Sequence, residues 1–332
     1  MEERVNPKWT FRKKNVYNLM AVIFLAISTA FGYMFYTDTD VTSIPNKVNP
    51  AGPPTFSRML YGGFGEEALV KGMDVSVIGD NIYVTDAKSK RVQVFNPDGT
   101  LRLRFGTEGN KPGEFNFPYG IAGDSKNNVY VVDLYNGCIS VHDSNGKFLR
   151  YFAEKDPKEM VIDSPGGLRI VDDKLYVTEI KRGKIYVFDL TGKKLLEVGK
   201  PGIMPGELRS PNAVTADAEG NIYVTDTGNQ RIQIYDKTGK FIRSINGSKD
   251  GKGTSSLVNP RGIALDSRGN ILVVSNLTHF VFAFDKEGNE IYTFGGNGGA
   301  TYQFSLPNGL CIDKNGSIYV TDTANQRVAI YD

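Results

Sequence analysis

Six positions along the chain place polar or small residues in a repeated setting, and these positions are the best candidates for binding chemistry. Each lies at the start of a short apolar segment, and five of the six directly follow a proline. They are Gly72, Tyr119, Gly166, Asn212, Arg261 and Asn308. Amide, phenol and guanidinium groups brought together can hold a small polar or anionic ligand. We therefore predict a ligand-binding site at Tyr119, Asn212, Arg261 and Asn308, or alternatively a water-filled opening that these residues only cap.

A second recurring feature is an acidic residue followed five positions later by a basic one. The clearest pairs are Asp86 with Arg91, Asp226 with Arg231, and Asp322 with Arg327. Because the spacing repeats from copy to copy, we interpret them as structural ion pairs rather than as a catalytic row. As exposed pairs, each is expected to contribute about 0–1 kcal/mol to stability.

The reactive residues of the chain restrict the enzyme classes that it can belong to. Two histidines and two cysteines cannot supply a three-histidine metal site. The sequence also shows no nucleophile beside a base and no phosphate-binding glycine loop. We therefore expect no catalytic residues and no cofactor. Cys138 and Cys311 are predicted to be buried thiols in separate structural units rather than a disulfide.

The elements that must position these residues come from an internal repeat. A short apolar strand recurs every 46 to 49 residues and is centred on Tyr83, Tyr130, Tyr176, Tyr223, Leu272 and Tyr319. Turn sequences such as NPDG and DKTG follow at a fixed offset, so each copy is predicted to form four short antiparallel strands. Six such copies predict an all-β, six-bladed β-propeller.

The two ends of the repeat region predict how the ring closes. The sequence ends at Asp332, 13 residues after Tyr319, before the sixth copy reaches a fourth strand. Near the other end, the segment SRMLYGG at 57–63 is similar to the fourth-strand segment IYTFGG at 291–296, with Tyr61 in the place of Phe294. We expect this N-terminal strand to complete the sixth blade and to remove an open sheet edge.

Two copies carry a longer motif with a family resemblance. The segments are PNAVTADAEGNIYVTDTGNQRIQIYD at 211–236 and PNGLCIDKNGSIYVTDTANQRVAIYD at 307–332. Both resemble NHL repeats, and the resemblance covers residues 55–332. It implies a six-bladed β-propeller of the NHL type, and propellers of this type serve many tasks. We expect a binding or scaffolding module for a protein or small polar ligand.

The same resemblance implies an alternative function. Gluconolactonase-like six-bladed enzymes present an asparagine to a catalytic Ca²⁺ or Zn²⁺ ion, and the PNG motif of Asn308 is similar to that segment. Under this alternative the chain is a metal-dependent hydrolase or lactonase, with Asn212 and Asn308 as metal ligands and Arg261 positioning the substrate. Hard cations prefer several oxygen ligands that include carboxylates, whereas no copy has Asp or Glu at the position of Asn212 and Asn308.

The N-terminal region predicts a membrane anchor. Residues 16–36 carry no charge and are long enough to span a bilayer as a helix, with a cleaved signal peptide as the alternative. The basic tail at 1–15 predicts a cytoplasmic N-terminus, and the proline-rich stretch at 37–54 is typical of a stalk. The propeller, residues 55–332, is then expected on the extracytoplasmic side of the cell membrane. Beyond residue 36 there are 34 basic and 35 acidic residues, which argues against a nucleic-acid partner.

The fifth copy departs most from the repeat. It has Leu272 for the tyrosine, Ser275 for the acid and Phe280 for the base. Phe280 and Phe282 lie on one face of a predicted strand. They are expected either to thicken the core between blades or to form an exposed apolar surface for a partner.

Overall fold

Each copy of the repeat folds into strands where β-branched and aromatic residues alternate, and into turns where Asp, Asn and Gly cluster. The computed structural model describes residues 52–63, 65–153, 162–248 and 253–332. The strands form six antiparallel sheets of four strands each. The all-β, six-bladed β-propeller is therefore confirmed.

Five blades are built from four consecutive strands. The bounds of blades one to three are β2 (Gly72–Ile78), β3 (Asn81–Asp86), β4 (Arg91–Phe95), β5 (Leu101–Phe105), β6 (Pro118–Gly123), β7 (Val129–Asp133), β8 (Cys138–His142), β9 (Phe148–Tyr151), β10 (Pro165–Val171), β11 (Lys174–Glu179), β12 (Lys184–Asp189) and β13 (Lys194–Val198). Blades four and five comprise β14 (Val214–Ala216), β15 (Ile222–Asp226), β16 (Arg231–Tyr235), β17 (Phe241–Ile245), β18 (Pro260–Leu265), β19 (Ile271–Ser275), β20 (Phe280–Phe284) and β21 (Glu290–Gly295).

Blade six joins the two ends of the described domain. It contains β22 (Pro307–Ile312), β23 (Ile318–Asp322), β24 (Arg327–Tyr331) and, as its outermost strand, β1 (Phe56–Leu60). The backbones of Thr55 and Asp332 exchange two hydrogen bonds of 2.8 Å. The predicted closure is confirmed, but the predicted register is wrong by one residue. Leu60 pairs with Val328 as Phe294 pairs with Val281, whereas Tyr61 is 54% exposed.

Both faces of every blade pack against neighbouring blades. Phe282 and Phe284 are buried between blades four and five, together with Ile234 and Ile263, and Phe280 packs at the edge of the same cluster. This placement corrects the idea that Phe280 and Phe282 form an exposed partner surface. The stacking of blades covers the face that alternation alone would leave open to solvent, so these side chains thicken the core.

The predicted tail, membrane-spanning segment and stalk at 1–15, 16–36 and 37–54 lie outside the described residues except for the last three positions. Within the described part of the chain, no helix combines the length and hydrophobicity needed to cross a membrane.

Candidate functional site

The predicted binding residues lie where the six inner strands begin, around one mouth of the central channel. Strand register defines the six equivalent positions as Met73, Tyr119, Gly166, Asn212, Arg261 and Asn308. We call these six residues the mouth ring. The prediction of Gly72 as the blade-one position is therefore wrong by one residue. Gly72 pairs with Asp86 as Pro118 pairs with Asp133, and Met73 takes the ring position in blade one.

Three of the four predicted ligand-binding residues are brought together, because Asn212 and Arg261 both contact Tyr119. The Tyr119 hydroxyl donates to Asn212 Oδ1 over 2.9 Å, and Asn212 Nδ2 lies 2.6 Å from the same hydroxyl oxygen. Arg261 Nη1 donates to that hydroxyl over 3.3 Å. Asn308 is apart from this group, and its amide Nδ2 faces the Met73 sulfur at 3.9 Å. Tyr119, Asn212 and Asn308 are buried, and Arg261 is half-buried.

One residue further along the inner strands, the backbones of neighbouring blades come close together and narrow the channel. Five copies have glycine or alanine there, namely Gly120, Gly167, Ala213, Gly262 and Gly309. These positions are small because backbones of neighbouring blades meet. A Cβ on Gly309 would lie 2.5 Å from Asp74 Cα, and one on Gly262 would lie 2.6 Å from the Leu310 nitrogen. Hydrogen bonds such as Gly167 N to Asn212 O, 2.6 Å, connect adjacent blades at this level.

An ion pair that the sequence analysis missed closes the channel below the mouth ring. Asp74 occupies the small-residue position in blade one, and Arg169 reaches it from blade three. Arg169 Nη1 lies 2.8 Å from Asp74 Oδ2, and Nη2 lies 3.1 Å from Oδ1. The guanidinium also donates to the carbonyls of Leu168, Ile121 and Leu310 at 2.8, 3.2 and 2.8 Å. The pair therefore links blades one, two, three and six.

A signal for this pair was present in the repeat. Asp74 stands where the other copies have Gly or Ala, and Arg169 stands where they have Ser76, Ala122, Thr215, Ala264 and Cys311. Two charged residues in otherwise small positions therefore mark the channel. The distance of 95 residues between them in the sequence hid their contact, because only the ring geometry brings blades one and three together.

Aromatic side chains lead outward from the mouth ring in blade two. The Phe117 ring lies 6.3 Å from the Tyr119 ring and 4.7 Å from the Tyr135 ring. Tyr119 is 6% exposed whereas Tyr135 is 65% exposed, so this aromatic path runs from the channel to the surface. The Lys71 ammonium lies 5.3 Å from the centre of the Phe117 ring, a cation–π distance.

Exposed apolar residues concentrate on the same end of the propeller. Of the ten large apolar side chains exposed within the described residues, seven lie in loops at the end where inner strands begin. They are Tyr61, Tyr135, Ile203, Met204, Leu277, Tyr302 and Leu306. Apolar groups exposed together on one surface are typical of interaction sites.

The repeated acid and base pairs are structural, but they are not exposed. The side chains of Asp226 and Asp322 are fully buried, and their ion pairs with Arg231 and Arg327 are 2.8 Å long. Each carboxylate also accepts a backbone N–H from the loop that leads to the inner strand, from Arg209 at 2.7 Å and Ser305 at 2.6 Å. The expectation of surface pairs is wrong because those loops cover the carboxylates.

The two cysteines and His142 lie in strands of the blades, where they pack against neighbouring side chains. Cys138 in blade two and Cys311 in blade six are thiols in separate blades rather than a disulfide; Cys311 is buried as predicted, whereas Cys138 is only half-buried. Burial raises the pKa of the Cys311 thiol to about 12, which keeps it protonated. His142 is fully buried among Phe105, Phe115 and Phe148, and this burial lowers its pKa to about 4.

The mouth ring fits a cation poorly. Asn212 Oδ1, the atom that a Ca²⁺ or Zn²⁺ ion would need, accepts the Tyr119 hydroxyl, and the Arg261 guanidinium contacts that same hydroxyl. Because the positively charged guanidinium contacts the same hydroxyl that is bonded to Asn212 Oδ1, it would repel a metal cation bound to that oxygen. In the described part of the chain, no group of three or more His, Cys, Asp and Glu side chains is arranged as a metal site.

Comparison with known families agrees with the fold. A family model described as a 6-bladed beta-propeller matches residues 66–156 and 125–246, and a model described as an NHL repeat matches residues 304–331. The first model alone spans more than half of the chain.

Curated relatives share the repeat over part of their length. Protein brain tumor of Drosophila melanogaster is 27% identical over 176 residues, which are 52% of this chain and 16% of that protein. The human NHL repeat-containing protein 3 is 26% identical over 166 residues, which are 42% of this chain and 45% of that protein. The chain thus matches less than half of either relative.

Among solved structures, a gluconolactonase of Xanthomonas campestris superimposes with a TM-score of 0.61 and 15% sequence identity, covering 86% of this chain and 99% of that one. At this identity the likeness shows the shared propeller fold alone.

Proposed function

Because the chain belongs to the NHL-type six-bladed β-propeller family, we propose that it is a binding module whose ligand or protein partner docks at the mouth ring. The observation that carries the proposal is the group formed by Tyr119, Asn212 and Arg261, which converge on one point of the channel. The Asp74–Arg169 pair closes the channel beneath them. The three side chains therefore lie between this ion pair and the end of the propeller where the inner strands begin.

A protein partner is supported by the surface at the same end of the propeller. Seven exposed apolar side chains on this end, including Tyr135 and Met204, offer area that a partner can bury. The differences among the mouth-ring residues add to this support. The blade scaffold repeats whereas the ring changes from copy to copy, and such variation on a rigid frame is typical of binding surfaces.

The metal-dependent hydrolase is the weaker alternative. It requires Asn212 and Asn308 to coordinate one ion, but the two amides face different partners, Tyr119 and Met73. The guanidinium of Arg261, which has no ion-pair partner within the described residues, also opposes a cation at this position. We derive no catalytic step through Ca²⁺ or Zn²⁺.

The module is proposed to be held at the cell membrane by residues 16–36, with residues 1–15 in the cytoplasm and the propeller outside. The supporting feature is the uncharged 21-residue segment flanked by a basic tail. Treating intact cells with a membrane-impermeant amine reagent tests this topology. Lys314, whose side chain is 72% exposed, should be labelled, and protection of Lys314 in intact cells but not in lysed cells would refute the arrangement.

Docking at the mouth is tested by site-specific photocrosslinking in native membranes. A photoreactive amino acid replaces Tyr135, at the mouth end, and in a matched variant it replaces Ile242, which is 44% exposed on an outer strand. The proposal expects a discrete crosslinked product from position 135 and none from position 242. Crosslinking confined to position 242 would move the interface to the blade sides.

A further inference from the structure

The mouth ring contains a cation, Arg261, that has no ion-pair partner among the residues the structure describes, and its chemistry indicates a ligand class. Arg261 is the one charged side chain among the six ring residues. Within the described residues its side chain makes one hydrogen bond, of 3.3 Å, to the Tyr119 hydroxyl. The Nε atom is buried and has no hydrogen-bond partner within the described residues. The Nε atoms of Arg58 and Arg91 likewise have no hydrogen-bond partner in the described part of the chain, but Arg261 is the one of the three that lies in the mouth ring. Buried polar atoms are normally paired, so Arg261 retains unused N–H donors there.

Two largely buried arginines of the domain show how a guanidinium is paired when it is enclosed by the blades. Arg169, deeper in the same channel, has a bidentate carboxylate and three carbonyls. Arg327 has Asp322 together with carbonyl acceptors. Arg261 has neither kind of support in the described part of the chain. Asp74 does not neutralise it, because both Asp74 oxygens already contact Arg169.

The groups beside Arg261 are suited to a planar anion. The Tyr119 hydroxyl gives its one proton to Asn212 Oδ1, so the N–H groups of Arg261 are the donors at this point that an anion can use. At the next ring position the Asn308 amide faces the Met73 thioether, a weak acceptor. Guanidinium groups bind carboxylates through two parallel N–H donors. The adjacent aromatic path of Tyr119, Phe117 and Tyr135 can pack against an apolar or aromatic group attached to that carboxylate.

We propose that the mouth ring recognises a carboxylate that bears an apolar or aromatic group, with Arg261 as the anion-binding residue. The inference rests on the proposed function and narrows it to a ligand class. Two sources carry this chemistry, a small organic acid and the C-terminal carboxylate of a polypeptide that ends in an apolar residue. Both place the carboxylate on Arg261 and the apolar group over Phe117.

Ligand-observed NMR on the full-length chain in detergent micelles tests the proposal. The small probes are phenylacetate and phenylacetamide, which differ in charge and match in shape. The peptide probes are short peptides that end in phenylalanine, with a free or an amidated C-terminus. Binding of either acid with at least about tenfold preference over its amide is expected, since a charge-assisted hydrogen bond is worth that factor or more. Preference only among the peptides would identify a polypeptide source.

Substitutions assign the effect to the residue. Arg261→Gln should weaken binding of the acids by about tenfold or more and remove the preference over the amides. Arg209→Gln is the matched control, because Arg209 is exposed on the same end of the propeller, three residues before Asn212, and it should leave binding unchanged. Equal thermal unfolding temperatures of the two variants show that the fold is retained.

The outcomes separate this inference from the proposed function. Equal binding of acids and amides, absence of binding by every acid, or acid binding that survives Arg261→Gln would each overturn carboxylate recognition. In those cases a mouth-specific crosslink from position 135 would still support docking at the mouth. Loss of that crosslink would overturn the proposed function itself.

Discussion

The ion pair between Asp74 and Arg169 should be the strongest electrostatic contact in the propeller, and a double-mutant cycle measures it. Asp74→Leu and Arg169→Met each remove one charge while keeping much of the side-chain volume. Either change alone leaves the opposite charge in a channel where the two side chains are 10% and 14% exposed. Removing one partner of a buried pair costs about 3–5 kcal/mol in the free energy of unfolding.

The structure sets the expected size of the coupling. Among the described residues, the single substitution Arg169→Met leaves the Asp74 carboxylate with the N–H groups of Val75 and Ile121 as its donors, at 2.9 and 3.1 Å. The reverse substitution leaves Arg169 with carbonyls alone. In the double variant no charge remains, so the second change should cost little beyond the first. The sum of the two single losses should exceed the loss in the double variant by about 3 kcal/mol, the upper end for residues in contact.

Urea unfolding of the four proteins gives these free energies. The surface pair of Lys314 and Asp80, whose side chains are 72% and 75% exposed, is a matched control that also joins blade one to another blade. Its cycle should give about 0–1 kcal/mol. If the losses in free energy of unfolding of the two single variants add up to that of the double variant within about 0.5 kcal/mol, the two charges do not act as a buried pair. The description of Asp74 and Arg169 as an ion pair that closes the channel would then be wrong.

Two further predictions concern blade two and the ring closure. The folded-state pKa of His142, about 4 against an ordinary 6.5, means that the unfolded chain gains a proton first as the pH falls. The contribution of neutral, buried His142 to the free energy of unfolding should therefore be fully present above about pH 6.5. It should be lost as the pH falls toward 4, which lowers the free energy of unfolding by up to about 3 kcal/mol. His142→Phe should flatten this slope in urea unfolding at a series of pH values, and parallel slopes would contradict the prediction. Leu60→Asp places a carboxylate at a closing-strand position that is 3% exposed and should cost at least about 3 kcal/mol. Tyr61→Asp next to it should cost less than about 0.5 kcal/mol, and similar losses for both variants in thermal unfolding would argue against the observed register.

The repeat made the fold predictable because each copy constrains the others. Six copies of one strand pattern fixed the number of blades, and the missing fourth strand of the last copy indicated closure by the N-terminal strand. The register of that strand was predicted one residue out. A match of glycines and aromatics aligned Tyr61 with Phe294, whereas the pairing with β24 buries Leu60 there.

Burial was harder to predict than strand order. In an isolated sheet, alternation separates a buried face from an exposed one, but stacked blades cover both faces. For this reason Phe280 and Phe282 were open to two interpretations, and the recurring acids such as Asp226 were expected on the surface although loops cover them. Contacts across the channel, such as that between Asp74 and Arg169, depend on the radial arrangement of blades, which no local pattern encodes.

The most direct test of the account is the NMR signal of the Arg261 Nε–H group in the full-length chain with ¹⁵N-labelled arginine. The signal is identified by its absence from the Arg261→Gln variant. Because this N–H has no hydrogen-bond partner within the described residues, a carboxylate that binds the Arg261 guanidinium should move its proton resonance downfield. We predict that phenylacetate produces this shift and that phenylacetamide does not. A resonance that stays in place, or that moves equally with both compounds, would contradict anion binding at the mouth ring.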